Sequence, residues 1–227
     1  MSQAGLLLAG IKVLNFHGRR CLSVLGLSFT ALSTRKIMEV TDRPFVSWDG
    51  EGVHGEGDYH PYSLFGASTG DRIKYQDLST LDCLSLIMDV ESSNKRAIHV
   101  GYSFGYDVNM IIKDLPFQQL ILLQEKGACH WKGFNLEYIP KKWFNVSVKG
   151  TTAKIFDTFL FFNCAFGKAL RKYNIGTKED LDRIDKGKEE RPNFTWENID
   201  EIEKYWETEL RYLVDLMSHL RRILYKA

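Results

Sequence analysis

Phe45-Val46-Ser47-Trp48-Asp49-Gly50-Glu51-Gly52 is the stretch on which the fold turns. A short, mostly apolar run ends in two acids set among glycines, which predicts a strand entering a Gly-rich turn. Side chains two apart on a strand share a face, so Asp49 and Glu51 can meet one metal ion. The glycines on either side of Glu51 would let a substrate backbone come close. The triplet alone is weak, because about one Asp-x-Glu is expected by chance in a chain of this size. A second one, Asp89-Val90-Glu91, ends a predicted helix, has no glycine beside it and reads as surface.

Outward from this stretch, residues 62–67 and 73–75 read as strands joined across Thr69-Gly70-Asp71. With the first strand they predict an antiparallel meander. Leu81, Leu84, Ile87 and Met88 give residues 78–90 a helical period. A strand over 97–102, a helix over 106–115 closed by Pro116, and a short helix over 120–124 follow. Residues 131–139, 143–148 and 152–160 have β character, punctuated by Gly133, Pro140 and Gly150. Residues 163–173 read as a helix. Residues 177–193 are highly charged and read as an exposed connector, with Lys186 to Arg191 a solvated loop. The last helix runs from Thr195, its N-cap, to Leu224. Its apolar positions are Ile199, Ile202, Trp206, Leu210, Leu213, Met217, Leu220 and Leu224, every step three or four. Three early strands, then helix, strand and helix, predict an α/β fold with a mixed sheet.

The chain has 227 residues, 44% hydrophobic and 26% charged, which excludes a disordered, collagen-like or low-complexity protein. Its formal charge of +1 hides an asymmetry. Residues 1–38 hold Lys12, Arg19, Arg20, Arg35 and Lys36 and no Asp or Glu, which leaves the rest at net −4. Residues 1–43 are therefore set apart as a leader: a tail, a mis-assigned start, or an organelle (mitochondrial) transit peptide, in an intracellular protein. Residues 44–227 are the folded domain. No apolar run approaches the roughly 20 residues that span a bilayer, so no membrane association is expected. Cys21, Cys83, Cys129 and Cys164 form no Cys-x-x-Cys pair, which argues for free thiols rather than zinc or redox chemistry.

Two further acids draw attention. Asp107 closes His-Val-Gly-Tyr-Ser-Phe-Gly-Tyr-Asp, residues 99–107, where a strand passes into a helix. A helix N-terminus favours an acid there, and Tyr102, Phe104 and Tyr106 beside it are either core or faces on which bases stack. Tyr205 and Glu209 lie four apart on one face of the last helix. Of ten tyrosines, only Tyr205 has an acid four positions later. Asp, Glu, Asp, and an acid preceded by Tyr is the order of DEDD-type exonucleases. Residues 44–224 resemble the 3'→5' exonuclease domain of family B DNA polymerases, especially the phage and linear-plasmid, protein-primed kind. The resemblance rests on Trp48-Asp49-Gly50-Glu51-Gly52, Phe104-Gly105-Tyr106-Asp107, Ile155-Phe156-Asp157 with Phe161-Phe162, and Tyr205 with Glu209. Tyr138 to Phe144 also resembles that family's strand insertion.

The resemblance implies a ribonuclease H-like fold: antiparallel strands leading into parallel ones, helices on both sides, and a β-hairpin insertion. It implies that Asp49, Glu51, Asp107 and Glu209 hold two Mg²⁺ or Mn²⁺ ions while Tyr205 orients the attacking water. Hard oxygen ligands suit such ions. The chain departs from the family at three places: the last acid is Glu209 rather than Asp, Gly52 replaces a hydroxyl residue, and Tyr102 replaces an Asn. Lys142 and Phe144, within Lys141-Lys142-Trp143-Phe144, combine cations with rings and suit a single strand. The alternative is a turn with solvated lysines and core aromatics. Asp157 is either structural or lines the site. The expected partner is a single-stranded DNA 3' end. No polymerase motif occurs, so the expectation is a stand-alone exonuclease, a subunit of a separate polymerase, or a fragment of a longer one. The alternatives are the same fold acting on RNA, or a catalytically weak binding or docking module.

Overall fold

The structure is a computed structural model that describes residues 43–55, 57 and 59–226, with the backbone alone for 12–16, 19–24 and 27–28. The chain divides into two compact units, Met1–Arg43 and Pro44–Ala227. In the first, β1 (Lys12–Phe16), β2 (Arg19–Val24) and β3 (Leu27–Ser28) pair antiparallel in that order. The rest of the leader up to residue 42 lies outside the described residues, and so does Cys21 as a thiol.

The second unit is α/β. Its eight strands are β4 (Phe45–Gly52), β5 (Tyr62–Ala67), β6 (Arg72–Lys74), β7 (Ile98–Gly101), β8 (Ala128–Trp131), β9 (Phe134–Ile139), β10 (Trp143–Val148) and β11 (Thr151–Asp157). They form one sheet in the order β6-β5-β4-β7-β11-β10-β9-β8. β4 pairs antiparallel with β5, and β5 with β6, giving the expected meander. β4 and β7 are parallel, as are β7 and β11. Beyond β11 the sheet is antiparallel again. Residues 131–139, read as one β stretch, belong to two strands. Lys132 and Gly133, both at positive φ, turn β8 into β9.

Among the described residues seven α-helices flank the sheet: α1 (Thr80–Ser93), α2 (Gly105–Ile111), α3 (Phe117–Lys126), α4 (Phe159–Phe162), α5 (Phe166–Lys172), α6 (Lys178–Glu190) and α7 (Ile199–Lys226). Two corrections to the sequence reading stand out. The β stretch expected over 152–160 stops at Asp157 and gives way to helix α4, while the helix expected over 163–173 is present as α5; Asn163, in a left-handed conformation, separates the two helices. The charged connector over 177–193 is mostly helix α6, started by the Thr177 hydroxyl accepting the amide of Asp180. Its apolar stripe is too thin to show among the charges: Ile184 and Gly187 alone are buried.

Alternation along the strands makes two cores. Val46 and Trp48 of β4, with Phe65 and Ala67 of β5, pack under α1 and α2 with Leu84, Ile87, Val108 and Ile111. On the other face Leu64 and Val100 pack under α5, α6 and α7 with Leu170, Ile184, Trp206, Leu210 and Leu213. Trp48, wholly buried, is fixed by its indole N–H donating to His99 Nδ1 at 2.9 Å, while His99 Nε2 meets Glu91 at 2.8 Å. Because Trp48 faces the first core, period two sends Ser47, Asp49 and Glu51 to the face that α7 covers. Cys83, Cys129 and Cys164 carry free thiols, the first two buried. Among the described residues no helix is long and apolar enough to cross a membrane.

Candidate metal centre

Helix α7 is tied to β4 at two points. The Ser47 hydroxyl donates to the Leu210 carbonyl at 2.7 Å, and the Trp206 indole N–H donates to the Asp49 carbonyl at 2.9 Å. Those anchors bracket Glu209 and set it over the strand. One oxygen each from Asp49, Glu51 and Glu209 then lie within 4.8 Å of one another. Among the described residues this is the one group of three acids, histidines or cysteines that could hold a metal ion. Glu51 is 3% exposed and Glu209 6%, so the charges are largely out of water.

Asp107, in the first turn of α2, is buried beside the cluster but outside its 4.8 Å set. Its Oδ1 accepts the Tyr62 hydroxyl at 2.8 Å. Tyr62 needs Gly50 for this, because a Cβ at residue 50 would lie 1.9 Å from the Tyr62 hydroxyl oxygen. A Cβ at Gly52 would lie 2.8 Å from the Tyr106 hydroxyl oxygen. The expectation that these glycines clear space for a substrate backbone is thereby corrected: in this structure they clear space for two tyrosines.

The electrostatics follow from burying like charges together. Burial, then Glu209 and Glu51, pushes Asp49 well above the usual carboxylate range. Glu51 is pushed up to about 8 by burial, with Arg191 opposing and Glu209 adding. Burial and the Asp49 charge raise Asp107. Two cations from α6 and its end answer this charge. The Arg191 guanidinium meets Glu51 at 2.7 Å and Glu209 at 3.4 Å, and Lys188 Nζ meets Glu209 at 3.2 Å. Sequence reading missed both as functional residues. The signal was present: Leu181, Ile184, Lys188 and Arg191 step by three, four and three, one helical stripe ending in two cations.

Tyr205 is buried one turn before Glu209, and its hydroxyl makes no hydrogen bond of good geometry. Burial, Glu209 and Glu51 all raise its pKa, so it stays a neutral phenol. Its ring lies against the backbone of Gly187 in α6, where a Cβ would meet Cδ2 at 2.4 Å. The donor set fits a hard divalent cation: oxygens only, more buried negative charge than the adjacent cations answer, and one buried hydroxyl left for a further ligand.

The residues expected to touch a strand separate into three groups. Tyr102 and Tyr106 flank the acids. Tyr102 stacks on Phe162 with its hydroxyl on the Cys164 carbonyl, and with Phe159, Phe166, Lys188 and Arg191 it lines a cleft of about 230 Å³ that opens on Asp49 and Glu209. Tyr106, half exposed, lines a second cleft with Glu51, His54, His60 and Arg191. Phe104 and Phe144 are corrected: both are buried in the first core and present no face to a ligand. Lys142 is exposed beside Trp143 and Phe156, outside both clefts. Asp157 takes a structural role, since its Oδ1 accepts the amides of Ser103 and Phe159 at 3.0 Å and holds the turn after β11. No family model matches the chain, and no match is found among curated proteins or among solved structures.

Proposed function

We propose that residues 44–226 form a two-metal-ion 3'→5' exonuclease of the DEDD type that removes nucleotides from single-stranded DNA ends. The observation that carries this reading is the convergence of Asp49, Glu51 and Glu209 from the first strand of the sheet and the last helix, with a buried, unpartnered Tyr205 hydroxyl one turn away. The strand order β6-β5-β4-β7-β11, antiparallel and then parallel, supports a ribonuclease H-like reading, with β8, β9 and β10 as the insertion.

Bound Mg²⁺ or Mn²⁺ would supply an activated water and stabilise charge on the leaving 3'-oxygen. The residues of this chain do the rest. Asp49, Glu51 and Glu209 supply ligand oxygens. The longer arm of Glu209 reaches the cluster from α7, so the family's shorter Asp is not required there. Tyr62 holds the Asp107 carboxylate beside the group as its fourth acid. The Tyr205 hydroxyl, which makes no well-formed hydrogen bond to the protein, would orient a water without adding charge. Tyr102 offers the ring edge and face of the cleft to a terminal base.

The test is digestion of a 5'-labelled single-stranded DNA oligonucleotide with Mg²⁺ or Mn²⁺, with RNA of the same sequence alongside. A ladder shortening from the 3' end is expected, reduced about 10²–10³-fold or more in Asp49→Asn. No trimming by the native chain, or equal trimming by the variant, refutes the assignment. Faster loss of RNA than of DNA moves the substrate class. Strand binding without trimming marks a docking module.

A further inference from the structure

Arg191 bridges two of the three acids that could hold a metal ion. Its one terminal nitrogen reaches Glu51 Oε1 at 2.7 Å and Glu209 Oε2 at 3.4 Å, and Lys188 engages the other Glu209 oxygen at 3.2 Å. Both oxygens of the acid contributed by α7 are therefore met by protein cations. The guanidinium is also stationed between the two clefts, since it lines the one holding Asp49, Glu209 and Tyr102 and the one holding Glu51, Tyr106 and His54. It is not built in as a core group. Arg191 begins a short turn ahead of Pro192, and 43% of its side chain is exposed. The second cleft, about 470 Å³, has room for the displaced head group.

We infer that Arg191 is a resident counter-ion of the acid cluster: it holds Glu51 and Glu209 together in the metal-free chain and must leave them for a divalent cation to bind. The inference rests on the reading of this cluster as a metal site. Burial of several carboxylates without a cation is unfavourable, so a chain that waits for metal needs a charge in its place. An arginine is suited to the task. It stays protonated, and its long stem lets the charge swing aside while the backbone stays put. Exchange follows mass action: whatever Arg191 contributes to the metal-free state is subtracted from metal affinity.

The measurement is calorimetric uptake of Mn²⁺ alone, without nucleic acid, by the full chain and by Arg191→Gln, paired with thermal melts in chelator and in Mn²⁺. Arg191→Gln is expected to bind Mn²⁺ on the order of tenfold more tightly. It is also expected to melt lower than the native chain in chelator and to gain more from Mn²⁺. Arg191→Lys, which keeps the charge on a shorter arm, is expected between the two and stands in if the glutamine variant does not fold. Equal or weaker Mn²⁺ binding by both variants, beside clear uptake by the native chain, overturns the counter-ion role and leaves the metal site standing. No uptake by any of the three overturns both.

Discussion

Replacing Gly187 with Ala sets helix propensity against a single packed ring. In a helix interior the change is ordinarily stabilising, by about 0.8–1 kcal/mol. Here a Cβ would meet Tyr205 Cδ2 at 2.4 Å, Cε2 at 2.5 Å and Cγ at 2.9 Å. Ordinary carbon contacts lie near 3.5–4.0 Å, so the ring has to retreat by roughly 1 Å. Phe194 stands edge-on to it at 6.1 Å and the Arg191 guanidinium lies 5.9 Å from its centroid, which limits that retreat. Overpacking of this kind costs about 1–3 kcal/mol, so the net effect is a loss of roughly 0–2 kcal/mol. In a Tyr205→Ala background the obstacle is gone and the same substitution should stabilise by about 1 kcal/mol. Urea denaturation of the four chains in chelator closes the cycle, with a coupling of about 1–3 kcal/mol expected. Trimming by Gly187→Ala should fall by up to about 10²-fold, because the hydroxyl is displaced by about 1 Å. Additive effects, with Ala stabilising equally in both backgrounds, would refute the packing argument.

Three further outcomes are expected. Tyr62→Phe removes the donor to the buried Asp107 carboxylate, and urea denaturation should show a loss of roughly 1.5–3 kcal/mol together with slower trimming. Asp49→Asn relieves like-charge crowding with Glu51 and Glu209, so it should raise the melting temperature in chelator, by about 0.5–2 kcal/mol in stability, while abolishing Mn²⁺-dependent trimming. Asp180 is lowered from its ordinary pKa, first by the Tyr212 hydroxyl and then by Thr177, Arg211 and Arg183. A lowered folded-state pKa gives stability that is full above the unfolded value, about 3.9, and is lost as pH falls through the folded one. The advantage of the native chain over Asp180→Asn in thermal melts should therefore shrink as pH drops below about 4.

The sheet was legible because its strands are short apolar runs bounded by turn residues. Trp48 and Val46 declare one face, which sends Asp49 and Glu51 to the other, and Gly70 and Gly150 mark turns where no side chain is wanted. The last helix was legible through its eight apolar positions at steps of three and four. Together they placed three of the four acids. The other half of the site was hidden because it depends on tertiary placement. Helix α6 buries little, so its thin stripe was lost among charges, and with it Lys188, Arg191 and the glycine that seats Tyr205. Phe104 and Phe144 looked available because an aromatic beside a cation or a glycine reads alike on a surface and in a core. The partnership of Gly50, Tyr62 and Asp107 joins three elements and has no local spacing to betray it.

The two bonds that anchor α7 to β4 span 157 and 163 residues of chain. At about 5–20 residues per second, a ribosome would finish β4 roughly 8–30 s before it supplied Leu210. During that interval Asp49 and Glu51 stand on the strand without Glu209, Tyr205 or Arg191. The nascent sheet therefore offers two unneutralised carboxylates and an apolar face that α7 has yet to cover, and the cluster is complete only when α6 and α7 have both been supplied.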